Sequence, residues 1–252
     1  MRYFDRYMRG EYEAVWAELT NLGAKAQQAE VFDDVRAVAL ETMRRVRENI
    51  NTIVDRLAGH GYRFDQYPDG SPIPYSFGPI VQPSGELVAQ VNEFENLAGA
   101  IPLSLRIFWE TVGAVSLMGR VPEGWPSYTD PLVVQPPDAC ILDFHDWRAA
   151  VEEYGENETG PFVAAIAPDM LHKDNVSGGA PYGFSLPNTA IDDVLMNERH
   201  NLPFVPYLRL AILKWGGFPG IGFGKLREEW HIKDGGSDIE WLLDLRTGLI
   251  DF

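Results

Sequence analysis

Residues 101–119, IPLSLRIFWETVGAVSLMG, constrain the fold of this chain more than any other stretch, because a helix and a strand follow each other there without a linker. Pro102 suits the first turn of a helix. Apolar side chains then recur at helical spacing, at Leu105, Phe108, Trp109 and Val112. Gly113 predicts the end of the helix, and the compact apolar residues 114–121 predict a strand that enters a sheet.

Four further apolar stripes predict helices. The first covers 12–22 and ends at Gly23, and the second runs from Val35 to Leu57 and ends at Gly59, with Asp33 or Asp34 as the expected N-cap. Together these two predict a helical hairpin. A third helix is expected over 87–98, and a fourth begins after Pro203 and ends before Gly216.

Strands are predicted mainly in the middle of the chain, at 132–134, 140–144, 162–167 and 182–186, with a short one at 62–64. Residues 68–85 contain five prolines and predict a packed connection rather than a flexible tether. Helices near the ends and strands between them favour an α+β fold, with a mostly antiparallel twisted sheet flanked by helices. We expect residues 1–85 to form a helical N-terminal region with the proline-rich connection, and 86–252 to form the α+β domain.

The formal net charge of −16 is concentrated after residue 60. Residues 1–60 contain 9 Lys and Arg against 10 Asp and Glu, which leaves −15 for residues 61–252. Such a surface repels nucleic acid and anionic lipid and attracts basic proteins. The same charge also serves solubility alone, and that interpretation stays open.

The sequence predicts a cytoplasmic protein that does not enter a membrane. Cys140 is the single cysteine, so no disulfide can form within the chain. No apolar run approaches the ~20 residues of a membrane span, and the N-terminal residues lack the apolar core of a signal peptide.

Three groups of polar residues invite a catalytic or metal-binding interpretation. The loop 171–183, LHKDNVSGGAPYG, combines paired glycines with polar side chains, but it matches neither a P-loop nor a dinucleotide fingerprint, and an ordered turn is favoured. The other two groups bring carboxylates near histidines in the sequence. They are Asp143, His145 and Asp146, and Asp192, Asp193, Glu198 and His200.

Neither acidic group has the spacing of a known metal motif, and no nucleophile elbow is present. We therefore predict no metal, no cofactor and no catalytic residue, and a structural role for Cys140. A carboxylate pair for glycoside hydrolysis stays open, because its separation depends on the fold.

The stretch 143–158 is the predicted partner-binding surface, because it surrounds two aromatic side chains with carboxylates and contains one basic residue, Arg148. Its predicted contact residues are Asp143, Asp146, Trp147, Glu152, Glu153, Tyr154, Glu156 and Glu158. The alternative for this stretch is an ordinary solvated helix face.

Four segments carry a resemblance to a known family. Residues 101–119 resemble the opening of the SUKH superfamily domain, found in fungal cell-wall-assembly regulators and in bacterial proteins that neutralise toxins. FVAAIAPD (162–169), GAPYGFSLPN (179–188) and FVPYLRLAILKWGGFPG (204–220) resemble its later strands and closing helix. The resemblance covers roughly 86–220, and the helical region 1–60 lies outside it.

The resemblance implies an α+β domain that binds proteins, uses no cofactor and has no catalytic residues. The sequence therefore predicts a non-enzymatic binding protein, of the immunity type, that occludes a basic toxin domain. An intracellular scaffold or regulatory module without a toxin partner is the first alternative. A small-molecule hydrolase built on the loop 171–183 or on the Asp143–Asp146 group is the second.

Overall fold

A computed structural model of the chain describes residues 2–223 and 239–252. Its first part is helical, with α1 at Tyr3–Tyr7, α2 at Tyr12–Leu22 and the long α3 at Ala29–Gly59. Strands and helices alternate after that, as β1 (Arg63–Phe64), β2 (Ile80–Val81), α4 (Gly85–Ala98), α5 (Leu103–Thr111), β3 (Ala114–Ser116), β4 (Gly119–Arg120) and β5 (Val133–Val134). The remaining elements are α6 (Pro137–Tyr154), α7 (Glu156–Thr159), β6 (Val163–Ala167), α8 (Met170–Lys173), β7 (Tyr182–Ser185), α9 (Phe204–Arg209) and α10 (Glu240–Arg246).

The strands form three small antiparallel sheets, of order β1-β4, β2-β3-β5 and β6-β7. The N–H of Gln135, the residue that follows β5, donates to the carbonyl of Ile166 in β6 at 2.7 Å. This bond connects two of the sheets. Helices outweigh strands and flank these sheets, so the predicted α+β class with antiparallel pairing is confirmed.

The helix-then-strand unit predicted at 101–119 is present as α5 and β3. Gly113, between them, has φ +95°, and a Cβ there would lie 1.9 Å from the Val81 carbonyl oxygen. A glycine is therefore required for β2 to pair with β3 directly after the helix.

Helix α3 packs as its apolar stripe predicts, against α1, α5 and α10. The Trp16 indole of α2 donates to the Thr42 hydroxyl of α3 at 2.9 Å inside the core. One continuous set of buried apolar side chains includes residues of both 1–85 and 86–252.

Two local predictions are wrong. Residues 140–144 are not a strand but lie inside α6, whose first residue is Pro137 and whose buried side contains Cys140 and Phe144. A short apolar run fits a helix or a strand equally well, and the proline pair at 136–137 was the stronger signal. Neither Asp33 nor Asp34 caps α3, because this helix begins at Ala29 and both residues lie inside it. The Asp34 carboxylate instead accepts from the backbone N–H of Tyr3, at the start of α1, at 2.6 Å.

The last residues of the chain are fastened to α3. The Asn49 side chain donates to the Ile250 carbonyl at 2.8 Å and accepts from the Ile250 N–H at 2.7 Å. The Arg45 guanidinium donates to the Asp251 carbonyl at 2.9 Å, and the Phe252 ring is buried. In α10, Leu242 and Leu245 are buried, whereas Leu243 is exposed.

The predicted helix after Pro203 continues beyond α9 as a π-helical turn, Leu210–Lys214. Among the described residues, none of the helices combines the length and apolarity that crossing a bilayer requires.

Candidate functional site: the acidic helix and its neighbouring cleft

The predicted partner-binding stretch forms most of α6, and this helix presents an acidic outer face. Cys140 and Phe144 are buried on its inner side. The opposite side exposes four residues at the i, i+4, i+7 and i+11 spacing of one helix face. They are Leu142, Asp146, Ala149 and Glu153. Glu152 is exposed beside them, and Gly155, with φ +87°, ends the helix.

The exposed carboxylates of this face, Asp146, Glu152 and Glu153, form no ion pair with any other residue in the described ranges. Their charge is therefore directed to solvent. Leu142, at the N-terminal end of this row, is 66 % exposed, which is unusual for a leucine in a helix that packs on a sheet. We call the exposed residues of α6 the acidic face.

The two predicted aromatic contacts differ in their surroundings. The Trp147 indole lies 5.5 Å from the rings of Phe144 and Phe162 and donates to the Gly160 carbonyl at 3.1 Å, so it fastens α6 to its neighbours. Tyr154 is 60 % exposed at the end of the helix, and a hydrogen bond with Glu153 raises the pKa of its hydroxyl. Glu156 and Glu158 belong to α7, and their side chains lie outside the described part of the structure.

A cleft of about 700 Å³ opens beside α6. Its floor crosses the sheet, with Ser116, Val133, Gln135, Ala165 and Ala167. The loop 67–77 forms one rim and places the rings of Tyr67, Tyr75 and Phe77 at the opening. The loop after β6 forms the other rim and brings in Asp169 and His172.

Asp143 connects the cleft with the acidic face, because it lies on α6 and lines the cleft wall. Burial raises the pKa of its carboxyl, and the negative charge of Asp146 raises it further. No hydrogen bond or ion pair of this carboxylate occurs within residues 2–223 and 239–252. His145, between them in the sequence, is exposed, so the three residues do not converge on one point.

Asp169 is held by its own loop. Its carboxylate caps α8 by accepting from the Leu171 N–H at 2.8 Å, and it also bonds to the His172 ring. Burial favours the neutral acid, but these two hydrogen bonds outweigh it and lower the pKa of Asp169. Gly179 packs directly on this carboxyl, since a Cβ there would lie 2.6 Å from its Cγ.

The predicted candidate loop 171–183 is thus partly a cleft rim and partly an internal support. Lys173 points inward and forms a buried ion pair with Asp130 at 2.6 Å. The Tyr182 hydroxyl donates to the same carboxylate at 3.0 Å. Asp174 lies next to this pair, and burial raises the pKa of its carboxyl to about 6.

The second acidic group does not assemble a site. The buried Asp192 carboxylate accepts from the Ser104 hydroxyl at 2.7 Å and from the Val205 N–H at the start of α9, and burial raises its pKa to about 7. Glu198 instead bonds to His200 at 2.6 Å. Within the described residues no three potential ligands are grouped around a point where a metal ion would fit.

Cys140 lies at the inner side of α6, where its thiol donates to the Ala165 carbonyl at 3.4 Å and burial raises its pKa. A raised pKa keeps the thiol neutral and unreactive.

The sequence reasoning missed two residues of this region. Leu142 was assigned to a strand, whereas it is an exposed apolar residue of the acidic face. Tyr75 lies in the proline-rich connection that was predicted to pack, yet it has a left-handed φ of +55° and its side chain is completely exposed.

Comparisons of this chain with protein-family models, with curated proteins and with solved structures give no match.

Proposed function

We propose that this protein is a non-enzymatic, cytoplasmic binding protein that docks a basic protein on the acidic face of α6. The observation that carries the proposal is an exposed leucine, Leu142, on the same helix face as carboxylates that have no ion-pair partner in the described residues. Interfaces commonly combine a central apolar anchor with a charged surround. Unpaired surface charges also accelerate the encounter with a partner of opposite sign.

The resemblance to the SUKH superfamily supports a more specific role, in which the partner is a toxin domain and binding occludes it. The concentration of negative charge after residue 60 supports a basic partner of this kind. A scaffold that binds a basic protein other than a toxin uses the same surface, and the identity of the partner separates the two roles.

The hydrolase alternative has less support from the cleft. A hydrolase of the His-activated type needs a hydroxyl or thiol within hydrogen-bond reach of the base. In the described residues the His172 ring bonds to Asp169, and no serine, threonine or cysteine side chain donates to it.

The test compares two charge-reversed variants as baits in extracts of the source cell. In the first variant, Asp146, Glu152 and Glu153 are changed to Lys. In the matched control, three exposed carboxylates outside α6 and the helix α4 packed on it, Asp33, Asp55 and Glu123, are changed to Lys. We expect the wild type and the control to retain the same basic protein, and the α6 variant to lose it.

Binding kinetics with the purified partner then separate charge from apolar contact. Reversal of the three α6 carboxylates is expected to slow association and to flatten its salt dependence, because charge steers the encounter. Leu142→Ala is expected to speed dissociation about tenfold, which corresponds to ~1.4 kcal/mol. Equal kinetics for the α6 variant and the control would contradict the proposal, and a toxin assay with the same partner decides between immunity protein and scaffold.

A further inference from the structure

The cleft beside α6 has a chemistry of its own. Its floor between β3, β5 and β6 is largely apolar, with Val133, Ala165 and Ala167, and Met118 adds a flexible thioether. Its walls contribute the carboxyl groups of Asp143 and Asp169 and the His172 ring. Among the described residues that line the cleft there is no lysine or arginine.

Asp143 is the unmatched group in this cleft. The Asp169 carboxylate already accepts from a backbone N–H and from His172. Asp143, in contrast, is half-buried and has no hydrogen-bond donor or cation beside it in the described residues. A carboxylate removed from water without a partner is costly, so a cationic ligand that reaches it gains the interaction that the fold does not supply.

Tyr75 gives the opening of the cleft an exposed aromatic surface. It is a non-glycine residue at φ +55°, and its side chain is fully exposed. The surrounding loop is ordered by backbone bonds: the Ile73 N–H donates to the Asp65 carbonyl at 3.0 Å and the Tyr67 N–H donates to the Ser71 carbonyl at 2.8 Å. An exposed ring on a residue whose backbone is strained, within an ordered rim, is typical of a contact surface.

We infer that the cleft receives an arginine side chain of the basic protein that docks on the acidic face. The three parts of the cleft correspond to the three parts of that side chain. The methylene stem packs on the apolar floor, and the guanidinium donates to the two carboxylate oxygens of Asp143. The planar face of the cation stacks on the Tyr75 ring. This inference rests on the proposed function, because Asp143 belongs to the same helix as the acidic face.

The inference is tested without the partner, with N-acetyl-L-argininamide as the probe. The probe is titrated into ¹⁵N-labelled full-length protein, and amide chemical shifts are recorded. We expect a dissociation constant of about 1 mM, as for a ligand of this size. The largest shifts are expected at cleft amides, such as those of Ser76, Ala167 and Val176. N-acetyl-L-norleucinamide, which has an apolar side chain and no charge, is expected to bind at least tenfold more weakly.

Two variants and one matched control locate the binding. Asp143→Asn preserves the shape of the side chain and removes its charge. It is expected to reduce the affinity for the probe at least tenfold. Tyr75→Ala alters an exposed side chain and is expected to reduce the affinity for the probe about threefold. Glu123→Gln removes the same charge at an exposed position outside both the cleft and the acidic face, and is expected to leave probe affinity unchanged.

Three outcomes would overturn the inference: equal binding of the norleucine analogue, shifts spread over the acidic face rather than the cleft, or equal affinity in Asp143→Asn and the wild type. If the probe fails in one of these ways and charge reversal of α6 still removes the partner, the docking proposal stands and only the arginine site is wrong. If the probe binds as expected and the reversal has no effect on the partner, the cleft is a cation site and the docking proposal is wrong.

Discussion

Removal of the Lys173 charge is expected to destabilise the protein strongly, because this lysine is a buried structural cation. Its Nζ lies 2.6 Å from Asp130 Oδ1, and the two side chains are 0 % and 2 % exposed. At an effective dielectric constant of ~20 the attraction at this distance is about 6 kcal/mol, and the desolvation of both charges offsets much of it. The ammonium group also lies 4.7 Å from the centre of the Tyr182 ring.

Lys173→Met keeps most of the side-chain volume and leaves Asp130 buried with the Tyr182 hydroxyl as its donor. Breaking a buried pair in this way costs about 3–5 kcal/mol. The assay is equilibrium unfolding in urea, followed by tryptophan fluorescence and far-ultraviolet circular dichroism. We expect the midpoint to fall and the slope to stay constant.

The double variant Lys173→Met with Asp130→Asn tests the cause. Asparagine tolerates the left-handed backbone of residue 130, where φ is +52°, and still accepts from Tyr182. Because the double variant buries no unpaired charge, its loss should be at least ~1.5 kcal/mol smaller than the sum of the two single losses. Lys25→Met, at an exposed position, should change stability by less than ~0.5 kcal/mol. A single loss under about 1 kcal/mol, or additive losses, would refute the reasoning.

Three further predictions concern stability. Gly113→Ala should lower the free energy of unfolding by more than ~3 kcal/mol or prevent folding, as measured by the same urea titration. The new Cβ would lie 1.9 Å from the Val81 carbonyl oxygen, and neither atom can move without a shift of the backbone. The effect of Asp174→Asn on the free energy of unfolding should be ~1–2 kcal/mol more stabilising at pH 7 than at pH 4. Burial raises the pKa of the folded Asp174 carboxyl to about 6, so the stability that the protonated acid contributes is present below ~4 and is lost as the pH rises through ~6. Equal effects at both pH values would contradict this. Arg56→Met should lower the free energy of unfolding by about 1–2 kcal/mol and increase amide hydrogen exchange in α10. The reason is that the Arg56 guanidinium donates to the carbonyls of residues 244, 245 and 247 at the end of that helix. Unchanged exchange would show that this cap is unimportant.

Helices with long apolar stripes were predictable because their periodicity reflects burial directly. The stripe from Val35 to Leu57 occupies the buried side of α3, and glycine ends the neighbouring α2 as expected. Residues 140–144 failed because five residues are too few to separate a period of 3.6 from a period of 2. The start of α3 failed because Asp34 is used by a different helix, which is a tertiary effect.

The acidic face was predictable in part, since its carboxylates are adjacent in the sequence. The exposed leucine of that face was not predictable, because the exposure of Leu142 depends on which side of α6 packs on β6. The cleft could not be predicted, as its walls come from segments separated by up to about a hundred residues, from Tyr67 to His172. The inward direction of Lys173 likewise follows only from the position of Asp130.

The fastening of Ile250 to Asn49 has a consequence for synthesis on the ribosome. The two residues are 201 positions apart, and Asn49 is buried in the finished fold. At ~5–20 residues per second, the nascent helix α3 waits about 10–40 s before its amide can meet this backbone partner. During that interval the Asn49 amide lacks this backbone partner, and a chain truncated before Ile250 would leave the amide unmatched.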